Sequence, residues 1–240
     1  MPNVFIENIQ PAHDRISIIG PAHHHLIHVL RLQVNDHLNV LDNAGHIYET
    51  KISTLSKNSA DCQIIRTAAV SALAYKLVLA QALIKGEKMD WLVQKATELG
   101  VSEILPLITE RTQVKLSVAD AVHKQVRWQS IAQAAAEQCE RSDLPVISKP
   151  VALKGYQPGK SANELSLLCA ARSQAEKLQS NTLPGSPGKI TIFVGPEGGF
   201  SAEEENTLID NGCRPISLGS NILRAETAAI ACLSQLNLFL

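Results

Sequence analysis

Apolar and polar residues alternate over short runs in the first third of the chain, a pattern that predicts β-strands. The stretch HLNVLDNAGHIYETKI, residues 37–52, carries apolar residues on both sides of the turn-forming segment 42–45. We therefore expect a β-hairpin there. The run ADCQIIRTAAV, residues 60–70, predicts a further strand.

From residue 76 onwards, apolar runs of strand length alternate with segments of helical periodicity. Buried strands are predicted at 76–84, 101–108, 165–172, 189–195 and 213–219, and helices at 88–100, 117–142 and 226–240, with one more starting in SAEEE, residues 201–205. In the helix 88–100 the apolar residues share one face, and Gly100 is placed to end it. This alternation predicts an α/β fold with a mostly parallel sheet. We expect two domains, residues 1–72 and residues 73–240.

Composition narrows the class of protein. The 240 residues are 45% hydrophobic, which is enough for one large domain or two smaller ones, and the net charge of −1 requires any nucleic-acid site to be a local patch. Five scattered cysteines without a CxxC pair indicate reduced thiols and disfavour a zinc site. The N-terminus lacks the pattern of a signal peptide, and no apolar run reaches the length of a membrane span. We therefore expect a cytoplasmic protein that uses neither a membrane nor a metal.

The stretch IFVGPEGGF, residues 192–200, places a glycine loop between a predicted strand and a predicted helix. A tight strand-to-helix turn would explain the glycines, which also let another group approach closely. The loop is neither a P-loop nor a dinucleotide fingerprint, because the required spacings are absent. Glu197 in its middle would repel a phosphate, so the loop suits a ligand that is cationic or offers hydrogen-bond donors.

A second loop of the same kind occurs in LGSNILRAETAA, residues 218–229. Glu226 in a first helical turn is favourable with the helix dipole, and Thr227 can be a cap, so both have a structural explanation. Arg224 is harder to explain structurally, because it stands at a strand–helix junction beside a glycine-bearing loop. Ligands of open α/β sheets bind at the carboxyl ends of the strands, where both loops would lie together.

Two other patterns are weaker. Arg127, Gln138 and Arg141 fall within roughly 60° of one another on a helix wheel, although such polar stripes are usually solvated faces. The stretch HHHLIHVLRL, residues 23–32, suggests a metal site, but cysteine or carboxylate partners at ligand spacing are missing. A surface that contacts RNA phosphate, with Arg31 as its charge, is the interpretation that we favour.

Four linked motifs resemble one known family. LVQKATELGVSEILPLITERTQV, RWQSIAQAAAEQCERSDLPVI, IFVGPEGGFSAEE and LGSNILRAETAAI occur in this order and cover most of residues 90–230. The pattern resembles the RsmE-type 16S rRNA (uridine-N3) methyltransferases of the SPOUT (trefoil-knot) class. HHLIHVLRLQVNDHLNVLDNAG resembles the N-terminal PUA-like RNA-binding β-barrel of that family. One departure is Ala225, where family members often have Thr, and the residues around Ser220 and Asn221 also vary.

The resemblance implies a fold, a reaction and partners. The fold is a SPOUT α/β domain with a C-terminal deep trefoil knot, an exception to the usual topology rules, preceded by a small PUA-like β-barrel. The reaction is methylation of N3 of a specific uridine in 16S rRNA of the small (30S) subunit, with S-adenosyl-L-methionine (SAM) as the methyl donor. The family also implies a homodimer and no metal. The cofactor-binding residues would be Leu168, Gly195, Pro196, Glu197, Gly198, Gly199, Leu218, Gly219, Ile222, Leu223 and Thr227.

The chemistry that this family performs assigns roles to the remaining candidates. Uridine N3 is a poor nucleophile until its proton is lost, and Arg224 would stabilise the charge that spreads onto O2 and O4. Glu197 or Glu226 would take the proton or orient the base. The barrel and basic residues of the second domain would bind the rRNA. This predicted RNA-contacting set comprises His24, Arg31, Lys95, Arg111, Arg127 and Arg141.

Two other readings stay open on sequence alone. The first is a knotted methyltransferase that modifies tRNA or a ribose, which the QKATELG and EQCERS motifs disfavour. The second is a ribosomal RNA-binding module without catalysis, which would need neither the two glycine loops nor Arg224.

Overall fold

The protein is described from a computed structural model. The structure describes the chain apart from residues 7, 8, 10, 12, 13, 44, 70–74, 157, 159, 160, 162, 171–174, 180–187 and 240. The predicted boundary between residues 72 and 73 lies outside the described residues. The chain divides into two compact units, Met1–Ala72 with Gln133–Leu144, and Leu73–Ala132 with Pro145–Leu240.

The first unit is built on a five-stranded sheet of order β1-β3-β4-β5-β2. Its strands are β1 Asn3–Phe5, β2 Arg15–Ile19, β3 His37–Leu41, β4 His46–Leu55 and β5 Ser59–Ala69, and a short helix α1, Gly20–His24, runs into a π-helical turn, His25–Val29. The predicted hairpin is confirmed, since β3 and β4 pair antiparallel. In β2 only Ile16 and Ile18 point inward, and they pack with Leu26, Leu38 and Val40 in a core of their own.

The second unit is built on a parallel sheet of order β11-β13-β10-β12-β6-β7-β8, with β9 also paired to β7. Its strands are β6 Lys76–Ala82, β7 Glu103–Ile108, β8 Val146–Ile147, β9 Val151–Ala152, β10 Glu164–Cys169, β11 Glu176–Lys177, β12 Lys189–Val194 and β13 Arg214–Ser217. The central strands β6 and β12 are buried along almost their whole length, as expected for strands covered on both faces. The predicted α/β class with a parallel sheet is confirmed.

Among the described residues, four helices accompany this sheet: α2 Lys88–Glu98, α3 Val118–Gln138, α4 Ala202–Asp210 and α5 Ala225–Phe239. One apolar cluster joins the sheet to α2, α5 and the first part of α3 through residues such as Leu92, Trp128 and Leu233. A second cluster joins it to α4 through Phe193 and Leu208. The described helices therefore cover both faces of the sheet, and none is long and apolar enough to cross a membrane.

The structure corrects the predicted end of the long helix. The periodicity predicts a helix over 117–142, but α3 ends at Gln138 and Glu140 has a φ of 59°, in the left-handed region. Arg141 therefore lies beyond the helix, so the helix wheel does not describe its position relative to Arg127. By contrast, α2 ends at Glu98, two residues before Gly100, as predicted.

All five cysteines lie among the described residues and are free thiols. Burial raises the pKa of Cys62 to about 11 and that of Cys213 to about 12. Both groups are therefore neutral thiols at physiological pH.

The N-terminus of α4 is fixed by a reciprocal pair of hydrogen bonds. The Ser201 hydroxyl accepts from the Glu204 N–H, and Glu204 Oε2 accepts from the Ser201 N–H at 2.9 Å, which forms a capping box. The other oxygen, Oε1, accepts from the Glu110 N–H at 2.8 Å. This N-terminus is thus also bound to the segment after β7.

We expect Ser201→Ala to lower the free energy of unfolding by about 1 kcal/mol, the usual effect of losing an N-cap. Thr207→Ala, on the exposed side of the same helix, is the control and should change it by about 0.5 kcal/mol or less. Urea denaturation followed by circular dichroism measures both values. Equal effects of the two substitutions would show that the cap contributes nothing specific.

Candidate active site

Three parallel strands end around one cavity. β12, β10 and β13 are neighbours in the sheet, so Val194, Cys169 and Ser217 bring their carboxyl ends to the same edge. The cavity there, the main cavity, has a volume of about 630 Å³. It lies where ligands of open α/β sheets bind.

The main cavity is lined by the ends of these strands and by the two predicted loops. Its lining comprises Lys88, Arg111, Cys169, Ala170, Val194, Gly195, Pro196, Glu197, Gly198, Gly199, Phe200, Ala202, Glu205, Ile216, Ser217, Leu218, Gly219, Ser220, Asn221, Ile222, Leu223, Arg224, Ala225 and Ala228. The structure therefore brings together most of the predicted cofactor residues. Leu168 and Thr227 are not among the described lining residues: Leu168 is buried beside Phe193, and Thr227 lies in the first turn of α5, which begins at Ala225.

The GPEGG loop, residues 195–199, depends on two glycines. A Cβ on Gly195 would lie 3.0 Å from the Phe200 nitrogen and 3.1 Å from the Gly199 carbonyl carbon, so the backbone of the loop would have to shift to admit it. Gly199 has a φ of 70°, a conformation that strains any other residue, and its N–H donates to the Pro196 carbonyl at 2.9 Å. The loop thus requires glycine at Gly195 because the backbone folds back closely there, and at Gly199 because of its positive φ.

Two side chains from other parts of the second unit hold this loop. Arg111 Nη1 donates to the carbonyls of Gly198, at 3.0 Å, and Phe200, at 3.1 Å. The fully buried Gln81 donates from Nε2 to the carbonyls of Ala82, at 2.8 Å, and Gly195, at 3.4 Å. Arg111, a predicted RNA contact, therefore binds the GPEGG loop in this structure.

The two candidate carboxylates have different surroundings. Glu197 is exposed and lines the main cavity, and its Oε1 accepts from the backbone N–H of Lys85 at 3.1 Å. Glu226 is only 13% exposed, and its Oε1 lies 3.2 Å from Lys88 Nζ. Its Oε2 is buried without a hydrogen-bond partner in the described part of the chain. Lys88 lines the main cavity, so Glu226 is connected to the cavity through the Lys88 ammonium group.

Arg224 stands at the end of the LGSNILR loop, residues 218–224. It is exposed and lines the main cavity, while its carbonyl accepts from the Ala228 N–H at 2.8 Å in the first turn of α5. Within the described residues its guanidinium makes no hydrogen bond or ion pair. Because Arg224 directly precedes the first residue of α5, the helix fixes the Arg224 backbone, while the guanidinium remains available to a ligand.

Some residues that line the main cavity were not predicted from the sequence, among them Lys88, Phe200, Ser217 and Ala228. Lys88 is the first residue of α2, after a short segment that follows β6, so it stands at the same sheet edge as the two loops. That position was a usable signal, because the carboxyl end of every strand in a parallel sheet faces this edge.

The other predicted RNA contacts are divided between the units. His24, Arg31 and Arg141 belong to the first unit, and Lys95 and Arg127 belong to the second. Lys95 pairs with Glu98 at 2.7 Å, Arg127 with Asp90 at 2.6 Å, and Arg141 with Asp143 at 2.7 Å. The His24 ring lies against that of His28, with centroids 4.4 Å apart. No group of three or more potential metal ligands occurs among the described residues.

The chain matches known proteins along most of its length. The RNA methyltransferase domain family matches residues 71–237, and the RNA methyltransferase PUA domain family matches residues 19–65. Two similar proteins are ribosomal RNA small subunit methyltransferases E. The one from Synechocystis sp. is 37% identical over 90% of this chain and 71% of its own, and the one from Rickettsia conorii is 33% identical over 98% and 94%.

Solved structures agree with these matches. A putative methyltransferase from Legionella pneumophila, in complex with the bound cofactor SAM, superposes with a TM-score of 0.87 at 32% identity and covers 97% of this chain and 95% of its own. The ribosomal RNA small subunit methyltransferase E of Neisseria gonorrhoeae, bound to S-adenosyl methionine, also gives 0.87, at 27% identity over 98% and 95%. The fold is thus an α/β methyltransferase fold with a PUA-type domain. The chain belongs to the RNA methyltransferase family of the ribosomal RNA small subunit methyltransferases E.

Proposed function

We propose that this protein transfers a methyl group from SAM to N3 of a specific uridine in the 16S rRNA of the small ribosomal subunit. The observation that carries the proposal is the main cavity, which joins the GPEGG loop to the LGSNILR loop and its unpaired Arg224. Membership of the family supports the reaction and the substrate. The resemblance noted from the sequence supplies the atom that is methylated.

The residues of the main cavity fit SAM. Its volume of about 630 Å³ is in the range of sites for cofactors of this size. The absence of side chains at Gly195 and Gly199 leaves backbone groups to contact the ligand, and Leu218 and Leu223 provide apolar surface. When bound, SAM supplies an electrophilic methyl group on a positively charged sulfur. Glu197 on the cavity wall is electrostatically favourable for such a cation.

Arg224 is the residue that we assign to the uracil. Loss of the N3 proton leaves a negative charge on the base, and a fixed cation at the cavity wall stabilises that charge as it develops. Lys88 and Arg111 also line the cavity, but their charged groups already bind Glu226 and the GPEGG loop. The guanidinium of Arg224 has no such partner in the described structure and can bind O2 or O4.

Of the two carboxylates, Glu197 is better placed to take the proton. It reaches the cavity directly, and the bond from the Lys85 N–H holds one oxygen while the side chain stays exposed. Glu226 is turned to Lys88 and is not among the described lining residues. We assign Glu226 to positioning the Lys88 ammonium at the cavity wall.

The wider organisation is also part of the proposal. We propose a domain boundary between residues 72 and 73, a PUA-like β-barrel in residues 1–72, a cytoplasmic location and a homodimer in which the partner completes the site. We also propose, from the resemblance noted in the sequence, that the C-terminal part of residues 73–240 forms a deep trefoil knot. His24, Arg31, Lys95, Arg111, Arg127 and Arg141 stay the proposed rRNA contacts, with Arg111 also serving the GPEGG loop.

The first test combines binding and turnover. We expect calorimetry to detect SAM binding, and we expect nucleoside mass spectrometry to detect 3-methyluridine in small-subunit RNA treated with the protein and SAM. Arg224→Ala should lower turnover by about 100-fold or more, because it removes charge stabilisation in the transition state, while SAM binding persists. Arg66→Ala, on an exposed part of β5, is the control. Turnover by Arg224→Ala at the wild-type rate would refute the role of this arginine.

The second test separates the carboxylates. We expect Glu197→Gln to lower kcat by about 100-fold or more, as for loss of a general base. Glu226→Gln should lower kcat less and should match Lys88→Met, because both variants disturb the same ion pair. Steady-state methylation kinetics of the three variants measure this. The reverse order of the two glutamates would make Glu226 the base.

The third test concerns the salt dependence of RNA binding. The logarithm of the association constant for small-subunit RNA should fall linearly with the logarithm of the salt concentration, because cationic side chains displace counterions from phosphates. Arg31→Ala should reduce the slope by about one, as expected for the loss of one phosphate contact. Filter binding at increasing KCl concentrations measures the slope. A flat response would contradict an rRNA-binding surface on a chain of net charge −1.

A further inference from the structure

The second unit buries one amide in a strand whose other buried positions are apolar. Gln81 is fully buried near the end of β6, where it pairs with Val194 of β12 and Pro106 of β7. Its Oε1 has no hydrogen-bond partner in the described part of the chain. Burial of an amide with an unpaired oxygen destabilises a fold, and an apolar side chain of this size would fill the same space without that cost. Stability alone therefore does not account for Gln81.

The nitrogen of this amide shows what Gln81 contributes. Nε2 donates to the Ala82 carbonyl at 2.8 Å and to the Gly195 carbonyl at 3.4 Å. Because both partners are acceptors, only the NH₂ end of the amide can face them. Gly195 directly follows Val194 and opens the GPEGG loop, so its carbonyl is turned towards a fully buried side chain that is not among the described lining residues of the main cavity.

Other carbonyls of the GPEGG loop and its C-terminal neighbour are also bound by the protein. The Pro196 carbonyl accepts from the Gly199 N–H at 2.9 Å. The carbonyls of Gly198 and Phe200 accept from Arg111 Nη1 at 3.0 and 3.1 Å. Arg111 also packs against the loop, because a Cβ on Gly198 would lie 3.5 Å from both Cβ and Cδ of Arg111.

The segment that carries Arg111 is itself held in place. The Thr109 N–H donates to Thr112 Oγ1 at 3.0 Å, and the Thr112 N–H donates to the Thr109 carbonyl at 3.1 Å, which closes a turn around Arg111. The Glu110 N–H donates to Glu204 at the N-terminus of α4 at 2.8 Å. The guanidinium therefore reaches the GPEGG loop from a fixed backbone.

The N–H groups of the loop are arranged in the opposite way. Within the described residues, those of Glu197 and Gly198 donate no hydrogen bond, and both residues are exposed and line the main cavity. Successive N–H groups without partners form a concave site for acceptor groups. The loop backbone thus offers donors to the cavity, while Gln81 and Arg111 bind several of its acceptors.

We propose that Gln81 and Arg111 are positioning residues for the methyl donor. By binding loop carbonyls, they hold the GPEGG loop in the form in which the N–H groups of Glu197 and Gly198 face SAM, whose ring nitrogens, ribose oxygens and carboxylate are acceptors. This inference rests on the proposed function. Neither side chain has to touch the reacting atoms, and the stability lost by burying Gln81 is offset when SAM binds.

The first measurement compares SAM affinity with stability. Gln81→Met replaces the amide by an apolar side chain of similar length. Thr97→Val is the control, since the buried Thr97 hydroxyl donates to the Val93 carbonyl at 2.8 Å in α2 and not to the loop. We expect Gln81→Met to weaken SAM binding by about fivefold, the net effect of one lost hydrogen bond, without lowering Tm. Thr97→Val should lower Tm and leave SAM affinity unchanged. Calorimetry and thermal unfolding measure these values.

The second measurement uses the exposed partner. Arg111→Met should also weaken SAM binding by about fivefold, whereas Lys115→Met, which removes another exposed cation of the same segment, should not change it. Because either substitution releases the same loop, the variant with both Gln81→Met and Arg111→Met should lose less affinity than the product of the two single losses. Each single variant should raise KM for SAM and change kcat at saturating SAM by less than about twofold.

Three results would overturn the inference. These are wild-type SAM affinity of Gln81→Met, a loss of affinity that occurs only together with a lower Tm, and single losses that multiply in the double variant, as expected if Arg111 binds SAM directly. If Gln81→Met does not fold, wild-type SAM affinity of Arg111→Met overturns it. When the wild-type protein binds SAM and methylates small-subunit RNA, these results refute only the positioning roles, whereas a wild-type protein that does neither refutes the proposed function.

Discussion

Parallel pairing of β13, β10 and β12 is the constraint on which the site depends. Parallel strands place all their carboxyl ends at one edge of the sheet. Residues that are far apart in the sequence, such as Cys169, Gly195 and Leu218, therefore line the same cavity. β10 and β12 are buried along most of their length, and helices cover both faces of the sheet, so burial of these strands stabilises the pairing. The packing of the core therefore determines where the residues of the site lie.

Most of the charged groups discussed at this edge have a hydrogen-bond or ion-pair partner within the protein itself. Glu226 and Lys88 satisfy each other, Glu197 takes a backbone N–H, and Arg111 is bound to two carbonyl oxygens. Each of these bonds positions a loop or a side chain and lowers the electrostatic cost of bringing several charges into one cavity. Arg224 differs because no described partner neutralises it, and a cation left available in this way is suited to charge that arises only during a reaction.

The sequence predicted the fold class, the hairpin of the first unit and most elements of the second, because apolar periodicity follows from burial and burial dominates these elements. It did not predict β8, β9 and β11, since strands of two residues are too short for any period to appear. The two glycine loops were recognisable from residue type and position at strand ends. The partners of Glu197 and Glu226 could not be predicted in this way. Lys85 and Lys88 contact these carboxylates because of the order of the strands in the sheet, and apolar periodicity does not determine that order.

The distribution of thiols has a practical consequence. Cys62 and Cys213 are buried and protonated, and Cys232 is buried too, so an alkylating reagent meets only Cys139 and Cys169 in the folded chain. Cys169 belongs to the wall of the main cavity, whereas Cys139 lies just beyond α3. The molecule thus carries an internal reporter and an internal reference for chemical labelling, and the ratio of modification at these two sulfurs measures how much of the cavity is filled.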